Sequence, residues 1–384
     1  MTQIEIAQDT CQDPWGTSEI TSTFLNESTT TTLRSYILAM TRLELLWMNG
    51  RLIDNQLLLH LSSLHTLSYL YIEPDCGLPL SYTPPGVQSH PFLHLHHITL
   101  SLGMIPNSAV IFSSLVSPAP RLERLTVPWS YFSMTEEILE IIQSMLTSVH
   151  SSPLECIIFR ASEGLMKSVR SIDNTSNLIF VSNAHICLRP SLALGPTLRE
   201  LELGIHAIFL LSNVFVGEFA RGLPHLERLS LIPGWTAVTD FLVYPETTDV
   251  MTLDGLLPLV DYCPKLTQLR IAVRSAFSTG FNHGSRRRGG VKTTTILHTL
   301  ELWTTVMKVG NTDEHFVDQT DALLFDAFPR LTHFNVGVCA LVQPSQAKVD
   351  ISLEEVELAR NTWEHILDDM HSLYQQAGRQ VERQ

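Results

Sequence analysis

The stretch Pro91–Gly103 reads PFLHLHHITLSLG and follows His90, placing four histidines within eight residues. So dense a run suggests a metal site, but the leucines between the histidines suggest another reading. Their skeleton is Leu95-x-x-Ile98-x-Leu100, apolar-x-x-apolar-x-apolar. In an extended strand alternate side chains face opposite sides, so the second and third anchors point inward together, and the first enters from the preceding turn. In this register His97 is expected on the exposed strand face, with His94 and His96 at the turn before the strand. Adjacent strand residues point apart, so these histidines are not expected to converge on an ion. No metal is expected.

The skeleton recurs. It appears as Leu43-Leu46-Met48, Leu67-Leu70-Ile72, Leu95-Ile98-Leu100, Leu122-Leu125-Val127 and Leu154-Ile157-Phe159. It continues as Leu198-Leu201-Leu203, Leu226-Leu229-Leu231, Leu266-Leu269-Ile271, Leu297-Leu300-Leu302 and Leu331-Phe334-Val336. From Leu43 to Leu331 the nine intervals average 32 residues, a little above the usual leucine-rich range of about 20–29. The widest gaps, Leu154 to Leu198 and Leu226 to Leu266, are expected to hold insertions or a degenerate rung. No rung can bury these residues alone, but stacked rungs share a continuous core. Parallel strands are therefore predicted at 44–49, 68–73, 123–128, 199–204, 227–232, 267–272, 298–303 and 332–337.

Between the anchors lie helical spacings. Met134–Leu146 has Thr135 as a cap, acids in its first turn and an apolar face. Val214–Arg221, Thr252–Tyr262 and Gln319–Phe328 read alike. Pro120, Pro224, Pro264 and Pro329 then precede an anchor; proline cannot continue a helix and drives its predecessor into extended geometry. Strand, turn, helix, proline, strand defines an α/β leucine-rich-repeat solenoid, a horseshoe of about ten irregular rungs. At the carboxy end, Ser352-Leu-Glu-Glu355 is a capping box. Beyond it Val356, Ala359, Trp363, Ile366, Leu367, Met370, Leu373 and Tyr374 keep one apolar face, which predicts an end-capping helix.

The phrases PRLERLTV, LPHLERLSLIPG, CPKLTQLRIAV and FPRLTHFNV resemble the irregular leucine-rich repeats of fungal F-box proteins, over roughly Thr31 to Gly337. That resemblance implies substrate recognition linked to ubiquitin ligation, in the cytoplasm or nucleus. The F-box itself, a helical module that docks on the Skp-type adaptor, is not found; Thr17–Thr32, TSEITSTFLNESTTTT, reads as a flexible lead-in. The chain is then a member that lost its F-box or an incomplete gene product, and direct adaptor binding is not expected of it. The expected organisation is a flexible segment 1–30, repeats 31–340, a linker 341–351, the helix 352–378 and a tail 379–384.

Composition narrows the function further. Twenty-five basic against 39 acidic residues give a net charge of −14, which repels phosphate backbones and anionic membranes at long range. The most apolar window, Ile205–Val216, is too short to span a bilayer. The amino terminus lacks the apolar core of a secretory signal, and the six cysteines form no CxxC or zinc spacing. Reduced thiols are expected, and the sequons at Asn26 and Asn174 are expected to be unused.

No GxxxxGK[ST], HExxH or GxSxG motif occurs, so neither catalysis nor a cofactor is expected. Glu136-Glu137 and Asp368-Asp369 read as solvated helix faces, and Arg286–Arg288, flanked by glycines, as a solvated loop. The outward strand positions carry the functional information: Trp47, Tyr69, Tyr71, Arg124, Arg160, Glu200, Glu202, Arg228, Arg270, Glu301 and Trp303. Glu73, His333 and Asn335 fall in the same register. Tyr, Trp and Arg dominate interface hot spots because they join large contact area to polar tips. These positions predict a concave face that binds a protein. A free-standing scaffold or regulator without a ubiquitin link is the alternative.

Overall fold

The computed structural model describes residues 3–5, 27–49, 52–73, 92–100, 119–129, 135–149, 151–161, 179–181, 184–204, 207–232, 241–243, 250–274, 277, 296–306, 314–342 and 353–376. The protein is an α/β chain of two compact units, Met1–Asp173 and Asn174–Gln384. The Arg286–Arg288 loop, both sequon asparagines, Cys11, Cys76 and the tail lie outside the described residues.

The first unit holds a parallel ladder in sequence order: β1 (Gln3–Glu5), β2 (Leu45–Asn49), β3 (Tyr69–Glu73), β4 (His97–Leu100), β5 (Arg124–Trp129) and β6 (Cys156–Ala161). Its helices are α1 (Glu27–Leu38), α2 (Asn55–Ser63) and α3 (Thr135–Ser148). In the second unit a parallel ladder runs β8 (Glu200–Gly204), β10 (Arg228–Ser230), β12 (Gln268–Arg274), β13 (Thr299–Val306), β14 (His333–Val342) and β11 (Phe241–Val243). A separate parallel pair joins β7 (Ile179–Val181) to β9 (Ala207–Phe209). The helices here are α4 (Ala184–Leu188), α5 (Asn213–Gly222), α6 (Leu257–Tyr262), α7 (Glu314–Ala327) and α8 (Leu353–Gln376).

All eight predicted strands are present and parallel, each opening one residue later than expected. The reason is a repeated hydrogen-bond device. In eight of the ten phrases the carbonyl just after the first anchor accepts two successive N–H groups from the next phrase. Glu44 O takes Ser68 and Tyr69, Ser68 O takes His96 and His97, and His96 O takes Glu123 and Arg124. The second unit repeats this: Arg199 O takes Glu227 and Arg228, Thr267 O takes His298 and Thr299, and His298 O takes Thr332 and His333. Regular pairing starts only after this shared acceptor.

A tight turn precedes seven of the ten first anchors, closed by the anchor's own N–H, as in Leu67 onto Leu64 O, Leu122 onto Ala119 O, Leu226 onto Leu223 O, Leu266 onto Cys263 O and Leu331 onto Phe328 O. The prolines sit in these turns, where no helix has to continue. Every anchor is buried except Val336, which is half-buried. The widest gaps hold extra elements, β7 and α4 before β8, and β11 before α6.

Two expectations fail at the amino end. Residues 27–32, placed by composition in the flexible lead-in, open α1 instead. Thr32 and Ser35 hydroxyls donate to the carbonyls of Ser28 and Thr31, which lets hydroxyl residues stay helical. Tertiary contacts then hold the helix: Ile37 is buried, and Arg34 reaches the Leu52 carbonyl and Asp54, the α2 cap. Gln3–Glu5 likewise pair as a strand on Leu45–Trp47. At the other end β14 runs to Val342, two residues into the expected linker.

Helix α8 packs on α7, β13 and β14, with Trp363, Ile366, Met370 and Tyr374 buried. Trp363 meets Phe316 edge-on, and the Tyr374 hydroxyl donates to the Phe328 carbonyl. Among the described residues no helix is long and apolar enough to cross a membrane.

Candidate functional site: the open strand faces

The anchors fill one face of each ladder, so the alternate residues lie on the other. In the first unit, strand register aligns Leu45, Tyr69, His97, Arg124 and Cys156 in one row, and Trp47, Tyr71, Thr99, Thr126 and Ile158 in the next. Arg160 stands beside Pro128 in a third. Adjacent strands lie about 4.8 Å apart, so row neighbours touch. Trp47 and Tyr71 meet edge-on with ring centroids 4.7 Å apart, and Tyr69 meets His97 at 4.6 Å. Tyr69 is 41% exposed, and Arg124 and Arg160 are also exposed. Trp47 Nε1 is buried without a hydrogen-bond partner.

The histidines depart from expectation in one respect. His97 lies on the open face as predicted, and His94 Nδ1 stands 3.5 Å from Arg121. His96 and His97, however, both turn to one carboxylate: His96 Nδ1 is 3.0 Å from Glu123 Oε1, and His97 Nε2 is 3.9 Å from Oε2. The Ser68 carbonyl accepts both the His96 and His97 N–H groups, so regular pairing, and with it strict alternation of side chains, begins only after this point. Burial first, then the Arg124 guanidinium, lower the His97 pKa against the pull of Glu123. Among the described residues no group of three or more His, Cys, Asp and Glu has the geometry to hold a metal.

The second unit's open face is built differently. Glu200, Arg228, Gln268, Thr299 and His333 form one row, and Glu202, Ser230, Arg270, Glu301 and Asn335 the next. Opposite charges on neighbouring strands close on one another: Arg228 on Glu200, and Arg270 Nε on Glu301 at 2.6 Å. Glu200 is thereby only 7% exposed, covered by its arginine. Trp303 is 5% exposed, so it does not stand out as a surface anchor. Its register neighbours are Ala272 and Gly337, and a Cβ at 337 would lie only 3.4 Å from the indole nitrogen. The small neighbours let the ring lie down across the sheet. Ser230 Oγ and Glu301 Oε1 are buried without hydrogen-bond partners.

The predicted positions thus fall into two sets. Trp47, Tyr69, Tyr71, Arg124 and Arg160 share the first unit's face; Glu200, Glu202, Arg228, Arg270, Glu301 and Trp303 share the second's, where Glu200 and Trp303 are buried. His97 belongs with the first set and was missing from the predicted binding positions. Its place between Tyr69 and Arg124 in the repeat register was the signal. No protein-family model matches the chain, and no curated protein matches it either.

Proposed function

We propose that the chain is a leucine-rich-repeat solenoid whose open strand face recognises another protein. By the resemblance of its repeat phrases, the partner is a substrate selected for ubiquitin ligation in the cytoplasm or nucleus. The observation that carries this reading is the first unit's row of interlocked aromatics beside exposed arginine. Trp47–Tyr71 and Tyr69–His97 are edge-on pairs held in register by a parallel ladder, presenting large rings that lose little freedom on binding. The charge pairing on the second unit's face favours a supporting role there.

The test is affinity purification of the full chain beside a Tyr69→Ala/Tyr71→Ala variant, with mass spectrometry of what is retained. A protein held by the wild type and lost by the folded variant is the expected result; identical sets of captured proteins would refute the recognition reading. Calorimetry with a purified Skp-type adaptor addresses the ubiquitin link separately. No direct binding is expected of this chain, and micromolar or tighter binding lost on removing residues 352–384 would reassign α8 from end cap to docking element.

A further inference from the structure

Helix α8 meets α7 through two ring contacts, Trp363 with Phe316 and Tyr374 with Phe325. Between them the seam changes character. Asp321 lies five residues past Phe316 on α7, and Asp369 six past Trp363 on α8, so two carboxyl groups occupy the same level of the helix pair. The Asp321 side chain is buried there, and its Oδ1 has no hydrogen-bond partner. Among the described residues the charges acting on it are Asp369 and, one turn back on α7, Asp318; both share its sign. His365 of α8 stands 3.5 Å from Asp369 and is largely exposed, and His371 of α8 has its Nδ1 buried without a partner. A cover fixed for good would carry hydrocarbon at position 321. An ionised carboxylate buried without a partner opposes docking, and a protonated one does so far less.

We propose that α8 is a proton-operated latch: it stays closed on α7 while the Asp321 carboxyl carries a proton, and it lifts as a unit once that proton is lost. Deprotonation sets two like charges against each other in a buried seam, and parting the helices lets water take both. Burial, then Asp369 and Asp318, raise the Asp321 pKa to about 7 with the latch closed. With the latch open and the side chain in water, it titrates near 4. The closed state has the higher pKa, so closure is fully favoured below pH 4, weakens as pH rises, and levels off above about 7. Helix α8 enters no strand pairing, so lifting it leaves the ladder whole. Opening bares the side of α7 that it covered and frees the apolar face of Trp363, Ile366, Met370 and Tyr374. The event is local, a sub-global opening distinct from unfolding of the unit.

The experiment is hydrogen exchange of the full chain from pH 5 to pH 8, read by mass spectrometry and corrected for the intrinsic pH dependence of exchange. Wild type is compared with Asp321→Asn, Asp321→Leu and Asp369→Asn, each checked by circular dichroism. In the wild type, opening of α8 should rise about fifty-fold from pH 5 to pH 7 and level off by pH 8, while β12 and β13 stay protected. Asp321→Asn should abolish the rise. Asp321→Leu, which fills the seam with hydrocarbon, should abolish it too and keep α8 shut, and it serves as the second variant should the amide fold poorly. Asp369→Asn removes one of the two like charges and should shrink the rise. His365 and His371 titrate across the same range but are common to all four proteins, so a rise that survives in both Asp321 variants would overturn the proposal. Protection of α8 that does not change with pH would overturn it as well. So would protection lost only together with that of β12 and β13, even where overall stability follows pH.

Discussion

Asp321 sits in α7 beneath α8, 8% exposed, with Oδ1 lacking a hydrogen-bond partner. Burial pushes its pKa up to about 7, reinforced by Asp369 from α8 and Asp318 one turn back on α7. An unfolded aspartate titrates near 4. Between these values the folded state holds a proton that the unfolded state has lost, so stability falls as pH rises through the window from about 4 to 7. Each unit of pKa difference is worth about 1.4 kcal/mol, and across pH 5 to 8 the loss from this group comes to about 2–3 kcal/mol. Asp321→Asn keeps the shape and removes the titration. The stability difference between variant and wild type should therefore widen in the variant's favour by about that amount from pH 5 to pH 8, with other titrating groups cancelling. Urea unfolding of the full chain at several pH values measures it, and hydrogen exchange of α7 and α8 peptides assigns the change to this helix pair. Parallel pH profiles for the two proteins would refute the reasoning.

Other perturbations test the core. Leu229→Ala removes a 1% exposed central anchor and should cost about 2–5 kcal/mol in urea unfolding; a loss below 1 kcal/mol would count against a shared core. Gly195→Ala would place a Cβ 1.9 Å from the Gly222 carbonyl oxygen, a backbone atom that cannot swing aside, and should lower stability by about 1–3 kcal/mol. Cys187 and Cys263 are buried thiols whose pKa is raised to about 12. They should resist alkylation at pH 8 until the chain unfolds, and rapid labelling of either in the native protein would contradict their burial. Replacing His94, His96 and His97 together removes half-exposed contacts to Glu123 and Arg121 and the edge-on contact of His97 with Tyr69, so stability should fall by no more than about 2 kcal/mol.

The strand ladder was legible because it is written in local spacing. Leu-x-x-Leu-x-Leu tells which side of a strand is buried, and Pro224 or Pro264 tells where the preceding helix must stop. What spacing cannot tell is what the neighbouring strand supplies. Trp303 was read as an exposed anchor because its position faces outward; Ala272 and Gly337 beside it let the ring fold down, and only the register reveals that they are its neighbours. Glu200 is covered for a similar reason, by an arginine 28 residues away. Helix α1 was missed because threonine content argues for a lead-in, while Ile37 and the Arg34–Asp54 pair, both tertiary, decide otherwise.

Strand β11 pairs with β14, yet it is made from the chain between β10 and β12. Phe241 meets Ala340, a residue 99 positions further on. On the ribosome, at about 5–20 residues per second, roughly 5–20 s separate the synthesis of the two partners. During that time β10, β12 and β13 can pair in order as they emerge, while β11 has nothing to join. Closing so long a loop is also slower than joining adjacent phrases. The last edge of the second ladder is thus completed from a segment made long before its partner, only once β14 has been synthesised, and a nascent chain halted before β14 would leave the β13 edge open.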